Sequence, residues 1–183
     1  MKLGVKMVLV LMSIALVSGL LLSYTYESTK KDIMRNKEIE KEKAVRVVLP
    51  GTHRFEEKVI DAKNSLLISY DANGNVIGYA MLTEGTGFQG PIKLMIGFDT
   101  TLTRITGIEV LENVETPGLG NRITEKWFKE QFKGRLTPIG YVKGTKPTNP
   151  HDIQAISGAT ISSRSVVKIV NDAWKLCKKE IKK

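Results

Sequence analysis

The first pattern along the chain is a long apolar run. Eighteen residues from Met7 to Tyr24 contain no charged side chain, and as a helix rising 1.5 Å per residue they span about 27 Å. That length matches the hydrocarbon thickness of a membrane. Lys2 and Lys6 precede the run, as they would in a signal peptide, but no small-residue cleavage site follows it. The pattern therefore favours one uncleaved N-terminal transmembrane helix.

A strongly charged segment follows the apolar run. Lys and Glu alternate from Lys37 to Lys43, and Pro50-Gly51 ends the segment. This composition is typical of a solvated helix or stalk. We therefore predict a membrane anchor in residues 1–24, a charged stalk in residues 25–51 and a folded domain in residues 52–183.

Within the folded domain, apolar segments separated by turn residues predict mainly β-structure. A helix is expected first, over Phe55–Lys63, and a short one later, over Thr124–Phe132, with Trp127 and Phe128 as core residues rather than a stack for a cofactor. Four strands are predicted, Ser65–Tyr70, Val76–Thr83, Ile92–Phe98 and Arg104–Leu111, the first two joined by the turn Asp71-Ala72-Asn73-Gly74. An irregular segment is expected over Gly134–Pro150. The order of elements predicts an α+β fold with a mostly antiparallel sheet flanked by helices.

The end of the chain is a clear amphipathic helix preceded by small residues. Apolar side chains recur at helical spacing at Val166, Val170, Ala173, Trp174, Cys177 and Ile181. The run Ile161-Ser162-Ser163-Arg164-Ser165 offers N-cap side chains, so Thr160 is expected just before the helix. Unpaired N–H groups and the helix dipole would stabilise an anion there, although the same residues could simply cap a helix.

Two glycine-rich clusters lie upstream of this helix. They are Gly85-Thr86-Gly87-Phe88-Gln89-Gly90-Pro91 and Glu115-Thr116-Pro117-Gly118-Leu119-Gly120. Proline fixes one φ angle and glycine permits close backbone approach by a flat ligand. Taken alone, the second cluster is equally consistent with an ordinary tight turn.

Together with Ser157-Gly158-Ala159-Thr160, these clusters resemble the covalent FMN-binding domain of the G subunit of Rnf complexes and of the C subunit of sodium-pumping NADH:quinone reductases. The resemblance covers nearly the whole chain. It implies that the phosphate of FMN is esterified to Thr160. It also implies a cofactor-binding role for Ser157, Gly158, Ala159, Ile161, Ser162, Glu115, Thr116, Pro117, Gly118, Leu119 and Gly120.

The resemblance also implies a function. The chain would be a single-pass protein of the cytoplasmic membrane with its soluble domain on the outer side. It would relay electrons in a complex that couples ferredoxin/NAD electron transfer to Na⁺ or H⁺ translocation. The implied partners are the other subunits of the complex and a flavin transferase that attaches FMN. One position departs from the family, which usually has an acidic residue where this chain has Gln154, with Asp152 two residues earlier.

Composition and isolated residues limit which other functions the chain could have. The net charge of +9 is spread along the chain without an aromatic-interleaved basic platform, so it indicates a solvated face rather than nucleic-acid binding. His53 and His151 are isolated, and Cys177 lies on the apolar stripe, so we expect neither a metal site nor a catalytic residue. Two alternatives stay open: a C-type subunit of a sodium-pumping NADH:quinone reductase, and a cofactor-free, membrane-anchored interaction domain.

Overall fold

The computed structural model describes residues 2–182, with the side chain of Lys2 left out. Two predicted boundaries, at Met1 and Lys183, lie outside the described residues. The basic side chain of Lys2 also lies outside this description. The elements in chain order are α1 (Lys2–Val48), β1 (Arg54–Val59), β2 (Asn64–Tyr70), β3 (Val76–Thr86), β4 (Pro91–Phe98), β5 (Ile105–Asn113), a 3₁₀ helix (Gly120–Thr124), α2 (Lys126–Glu130), β6 (Gly140–Val142), β7 (Asp152–Gln154) and α3 (Thr160–Ile181).

The chain divides into two compact units, Met1–Glu40 and Lys41–Lys183. The first unit is helical, and α1 contains one stretch apolar and long enough to cross a membrane. None of the side chains in that stretch is buried by protein. Its exposed apolar surface is what a lipid-facing helix presents, since hydrocarbon replaces a protein core around it.

The second unit is built on a five-stranded antiparallel sheet in the order β1-β2-β3-β4-β5, with every strand paired to its chain neighbour. This confirms the predicted α+β class and the mostly antiparallel sheet. A small parallel ladder, β6 with β7, lies outside the main sheet. Strand β6 falls in the segment that we expected to be irregular.

Successive side chains along each strand point to opposite faces of the sheet, and both faces are buried. One face carries Leu66, Met81, Leu94, Ile96 and Phe98 and packs in a single cluster with Val166, Val170, Ala173 and Cys177 of α3. The other face carries Leu67, Ala80 and Met95 and packs against the end of α1, at Ala44, Val45 and Val48, and against Leu49, which follows the helix. The predicted apolar stripe of α3 is therefore largely core, whereas Ile181 at its end is exposed.

The prediction of a helix over Phe55–Lys63 is wrong. Residues Arg54–Val59 form the edge strand β1, and most of their side chains are exposed. The sequence there is charged and lacks alternation, so it carries little strand signal of its own. Register-matched pairing with β2, from Arg54 opposite Tyr70 to Val59 opposite Ser65, determines the conformation.

Candidate functional site

A cavity of about 300 Å³ opens where three segments of the folded unit meet. The segments are the loop between β3 and β4, the loop that follows β5, and the start of α3. The residues that line it are Phe88, Glu115, Thr116, Leu119, Gly120, Gly158, Ala159, Thr160, Ile161 and Ser162. The fold thus brings together three clusters that are far apart in the chain.

Most of the predicted cofactor-binding residues line this cavity. Three do not: Ser157 is exposed just before α3, while Pro117 and Gly118 form the exposed tip of a turn. Phe88 lines the cavity although the sequence-based site did not include it. It lies within the quoted cluster Gly85–Pro91, and its signal was a large aromatic side chain in a glycine-rich loop.

Residues 116–119, after β5, form a type II β-turn. The backbone N–H of Leu119 donates to the carbonyl of Thr116 at 3.1 Å, with Pro117 and Gly118 at the two central positions. Gly118 has a φ of 74°, which the third position of a type II turn requires and which side chains disfavour. The same turn places Leu119 and Gly120 on the cavity, so the tight turn and the cavity wall are one feature.

The start of α3 differs in detail from the expected cap. The helix begins at Thr160 itself, and its N-cap residue Ala159 provides no side-chain hydrogen bond. The serines expected to cap it act elsewhere: the Ser163 hydroxyl accepts from the Ile156 N–H at 2.9 Å, and the Ser162 hydroxyl donates to Glu115. First-turn N–H groups that lack a side-chain acceptor are suited to an anion.

Glu115 is the buried polar centre of the site, with 5% of its surface exposed. Its Oε1 accepts from the backbone N–H groups of Phe88 at 2.7 Å and Gln89 at 3.1 Å. Its Oε2 accepts from the Ser162 hydroxyl at 2.5 Å. One side chain therefore contacts all three segments that build the cavity.

The rim of the cavity is apolar and open to solvent. Phe88 is 62% exposed, Leu119 49% and Ile161 45%, which is unusual for large apolar side chains grouped in one place. Such a rim suits the faces of an aromatic ligand better than a charged one. The site thus offers an anion-binding helix start at one position and apolar surface at another.

Two aromatic residues lie on α2, and neither is among the residues that line the cavity. Both were predicted to be core residues, and Phe128 is indeed fully buried. Trp127 is 40% exposed, so its prediction is wrong. Its indole N–H donates to Glu125, a hydrogen bond that lowers the pKa of that carboxyl, and the Arg122 guanidinium lies 5.6 Å from the Trp127 ring centroid.

Other reactive groups are placed away from this cavity. Cys177 is buried, and loss of solvation raises the pKa of its thiol to about 12, so it is no nucleophile at neutral pH. His151 Nδ1 lies 2.9 Å from the carbonyl oxygen of Pro138, and His53 is exposed. Within residues 2–182, no three His, Cys, Asp or Glu side chains group so as to hold a metal ion.

The family described as "FMN-binding domain" matches residues 87–175, a range that includes the residues lining the cavity. The chain is 34% identical to the G subunit of the ion-translocating oxidoreductase complex of Methanosarcina acetivorans, over 92% of this chain and 91% of that protein. It is 38% identical to the G subunit of the Na⁺-translocating ferredoxin:NAD⁺ oxidoreductase complex of Acetobacterium woodii, over 55% of this chain and 49% of that protein.

Among solved structures, NqrC of Shewanella oneidensis superposes with a TM-score of 0.56 at 20% identity, over 73% of each chain. At that identity the likeness shows the fold. The chain belongs to the FMN-binding family that contains the G subunits of ion-translocating oxidoreductase complexes. With its apolar N-terminal helix, it is a membrane-anchored flavoprotein subunit, as the resemblance implied.

Proposed function

We propose that FMN is bound to this chain through a phosphoester to Thr160. The observation that carries the proposal is the position of Thr160, which is both the first residue of α3 and part of the cavity wall. The bond that forms joins Thr160 Oγ1 to the flavin phosphate. The bond that breaks is the phosphoanhydride bond of a flavin dinucleotide donor used by a flavin transferase, so a nucleoside monophosphate leaves and the hydroxyl proton is released to solvent.

The residues present fit such a group. The uncapped first turn of α3 offers N–H groups and a dipole to the phosphate, and Gly158, with a φ of 81°, brings the chain into the helix. Phe88, Leu119 and Ile161 offer apolar surface to the ring system. When bound, the flavin supplies the electron-transfer chemistry, and the chain supplies its position and electrostatic surroundings.

The chain would relay electrons within an Rnf-type complex that couples ferredoxin/NAD electron transfer to Na⁺ or H⁺ translocation. Support for an ion-translocating complex comes from the Methanosarcina acetivorans relative, of which this chain spans 91%. Support for ferredoxin and NAD comes from the name of the Acetobacterium woodii relative, of which this chain spans 49%. The cavity of about 300 Å³ is at the small end of ligand sites, so a bound flavin would leave no room within it for a nicotinamide. Electrons would therefore pass to and from neighbouring subunits rather than a diffusing substrate.

Intact mass spectrometry of the protein from its own host tests the cofactor assignment. We expect a gain that matches one esterified FMN, and peptide mapping should place it on the segment containing Thr160. The control is the same chain produced without a flavin transferase, which should have the mass of the bare polypeptide. A bare mass in both samples would refute the covalent flavin and favour the cofactor-free alternative.

The folded unit would lie on the outer side of the cytoplasmic membrane. A phosphoester tether suits that location, because a bound flavin cannot then diffuse away. In spheroplasts, external protease should digest a C-terminal epitope on the full-length chain while a cytoplasmic marker stays intact. Protection of the epitope until the cells are lysed would place the domain inside.

A further inference from the structure

The carboxylate of Glu115 is surrounded by hydrogen-bond donors from separate parts of the chain. Two are backbone N–H groups of the β3–β4 loop, at Phe88 and Gln89, and the third is the hydroxyl of Ser162 in the first turn of α3. An ionised carboxylate only accepts hydrogen bonds, so every contact suits it. Backbone N–H groups that donate to a carboxylate form stronger hydrogen bonds than neutral pairs do.

Two glycines hold the backbone close to this carboxylate. A Cβ atom at Gly87 would lie 2.3 Å from Glu115 Oε1, and one at Gly120 would lie 2.3 Å from Oε2. Both distances are well inside van der Waals contact, so any side chain at either position would displace the carboxylate. The Glu115 carboxylate can therefore occupy its position only because residues 87 and 120 are both glycine.

A second hydrogen bond joins the same two loops. Gln89 Nε2 donates to the Thr116 hydroxyl at 2.6 Å, next to the Glu115 contact. That pair is exposed to water, whereas Glu115 is buried, so the carboxylate contributes most of the connection. The connection matters because Phe88, Leu119 and Ile161 of the apolar rim belong one each to the three segments.

We propose that Glu115 is a positioning residue for the flavin, an inference that rests on the proposed function. Its side chain fixes the three walls of the cavity relative to one another and so determines where the ring system lies. Because its atoms also line the cavity, its negative charge disfavours the addition of electrons to a flavin there. The charge thus lowers the midpoint potential.

Two substitutions separate shape from charge. In Glu115→Gln, the amide oxygen can still accept from Phe88 and Gln89, and the Ser162 hydroxyl can turn to accept from the amide nitrogen. Glu115→Ala removes all three contacts. The matched control is Glu112→Gln, a glutamate three residues away on β5 whose side chain is 55% exposed.

The first measurement is hydrogen exchange of the full-length, flavin-free chain. We expect the amides of Phe88 and Gln89 to exchange about tenfold faster or more in Glu115→Ala, because each loses an acceptor that carries charge. Glu112→Gln should exchange like the wild type, and Glu115→Gln, which keeps an uncharged acceptor, should lie between the wild type and Glu115→Ala. Unchanged exchange in Glu115→Ala would overturn the connection between the loops.

The second measurement uses the flavin-loaded chain. In Glu115→Gln we expect the midpoint potential to move to a more positive value, by roughly the 59 mV that corresponds to a tenfold change in a one-electron equilibrium. In Glu115→Ala we also expect the visible circular dichroism of the flavin to weaken, because the ring is held less firmly. If Glu115 had only a structural role, the midpoint potential would not change in Glu115→Gln.

The outcomes remain distinguishable if a variant fails. Should Glu115→Ala not fold, Ser162→Ala removes only the contact to α3 and should still weaken the flavin circular dichroism. An unchanged potential in Glu115→Gln would refute the electrostatic role. Absence of flavin from the wild type would refute the proposed function itself. The hydrogen-exchange measurement uses the flavin-free chain, so it would still test the connection between the loops.

Discussion

Replacing Thr160 by valine is expected to remove covalent flavin completely and to leave the domain folded. Valine keeps the β-branched shape of threonine and has a similar helix propensity, so the start of α3 should be preserved. Thr160 is half-buried at the cavity, and we expect a change in the free energy of unfolding below about 1 kcal/mol. Only the oxygen that would bond to phosphorus is lost.

Neighbouring hydroxyls make this test specific. Ser162 and Ser163 are buried, and their hydroxyl groups are held by Glu115 and by the backbone of Ile156 and Ala159. Ser157 is exposed and does not line the cavity. Thr160 is therefore the hydroxyl best placed for transfer, and no neighbour should replace it.

The matched control is Thr116→Val, which removes a hydroxyl from another threonine of the same cavity. That variant should still carry flavin, whereas Thr160→Val should show no flavin fluorescence after denaturing electrophoresis. Circular dichroism in the far ultraviolet should be the same for both. Fluorescence that persists in Thr160→Val would contradict the assigned attachment point.

Part of the cavity could be anticipated from local sequence. Clusters rich in Gly, Pro and Thr occur where the backbone must approach a neighbour closely, and such clusters can be recognised in the sequence. Thr160 and the loop residues Glu115, Thr116, Leu119 and Gly120 line one cavity, and their role toward a cofactor stays a prediction. That shared cavity depends on antiparallel pairing of β3, β4 and β5, which the order of elements also predicted.

Other features were set by tertiary contacts that no local pattern contains. The role of Glu115 depends on two glycines and a serine that lie up to 47 residues away in the chain. Strand β1 is charged and mostly exposed, and only its partner β2 makes it a strand. Trp127 was predicted to be a core residue, but it is 40% exposed and its indole N–H donates to the carboxylate of Glu125.

The packing of the end of α1 on the sheet is another tertiary contact that the local sequence did not indicate. We predicted a folded domain that starts at residue 52, and this boundary stays a prediction. The structure places Val48 in a buried cluster with Leu67 and Met95, and the Thr106 hydroxyl donates to the Val48 carbonyl at 2.5 Å. The last turns of α1 thus cover one face of the sheet and contribute to the stability of the folded unit.

Replacing Val48 by aspartate should therefore destabilise the folded unit strongly. Val48 is fully buried among apolar side chains, and an aspartate there would lose solvation without gaining a cationic partner. We expect a loss of about 3 kcal/mol or more in the free energy of unfolding, which corresponds to a fall in Tm of about 10 °C for a unit of this size. Thermal unfolding of the full-length chain in detergent measures it.

The adjacent residue provides the control, because Val47 has the same side chain and lies in the same helix but is 57% exposed. Val47→Asp should change the free energy of unfolding by no more than about 0.5 kcal/mol. The two positions are adjacent in the last turn of α1, so a much larger loss in Val48→Asp than in Val47→Asp reports the burial of Val48. Equal Tm values for the two variants would show that α1 is a spacer up to residue 48 and that the sheet face is stable without it.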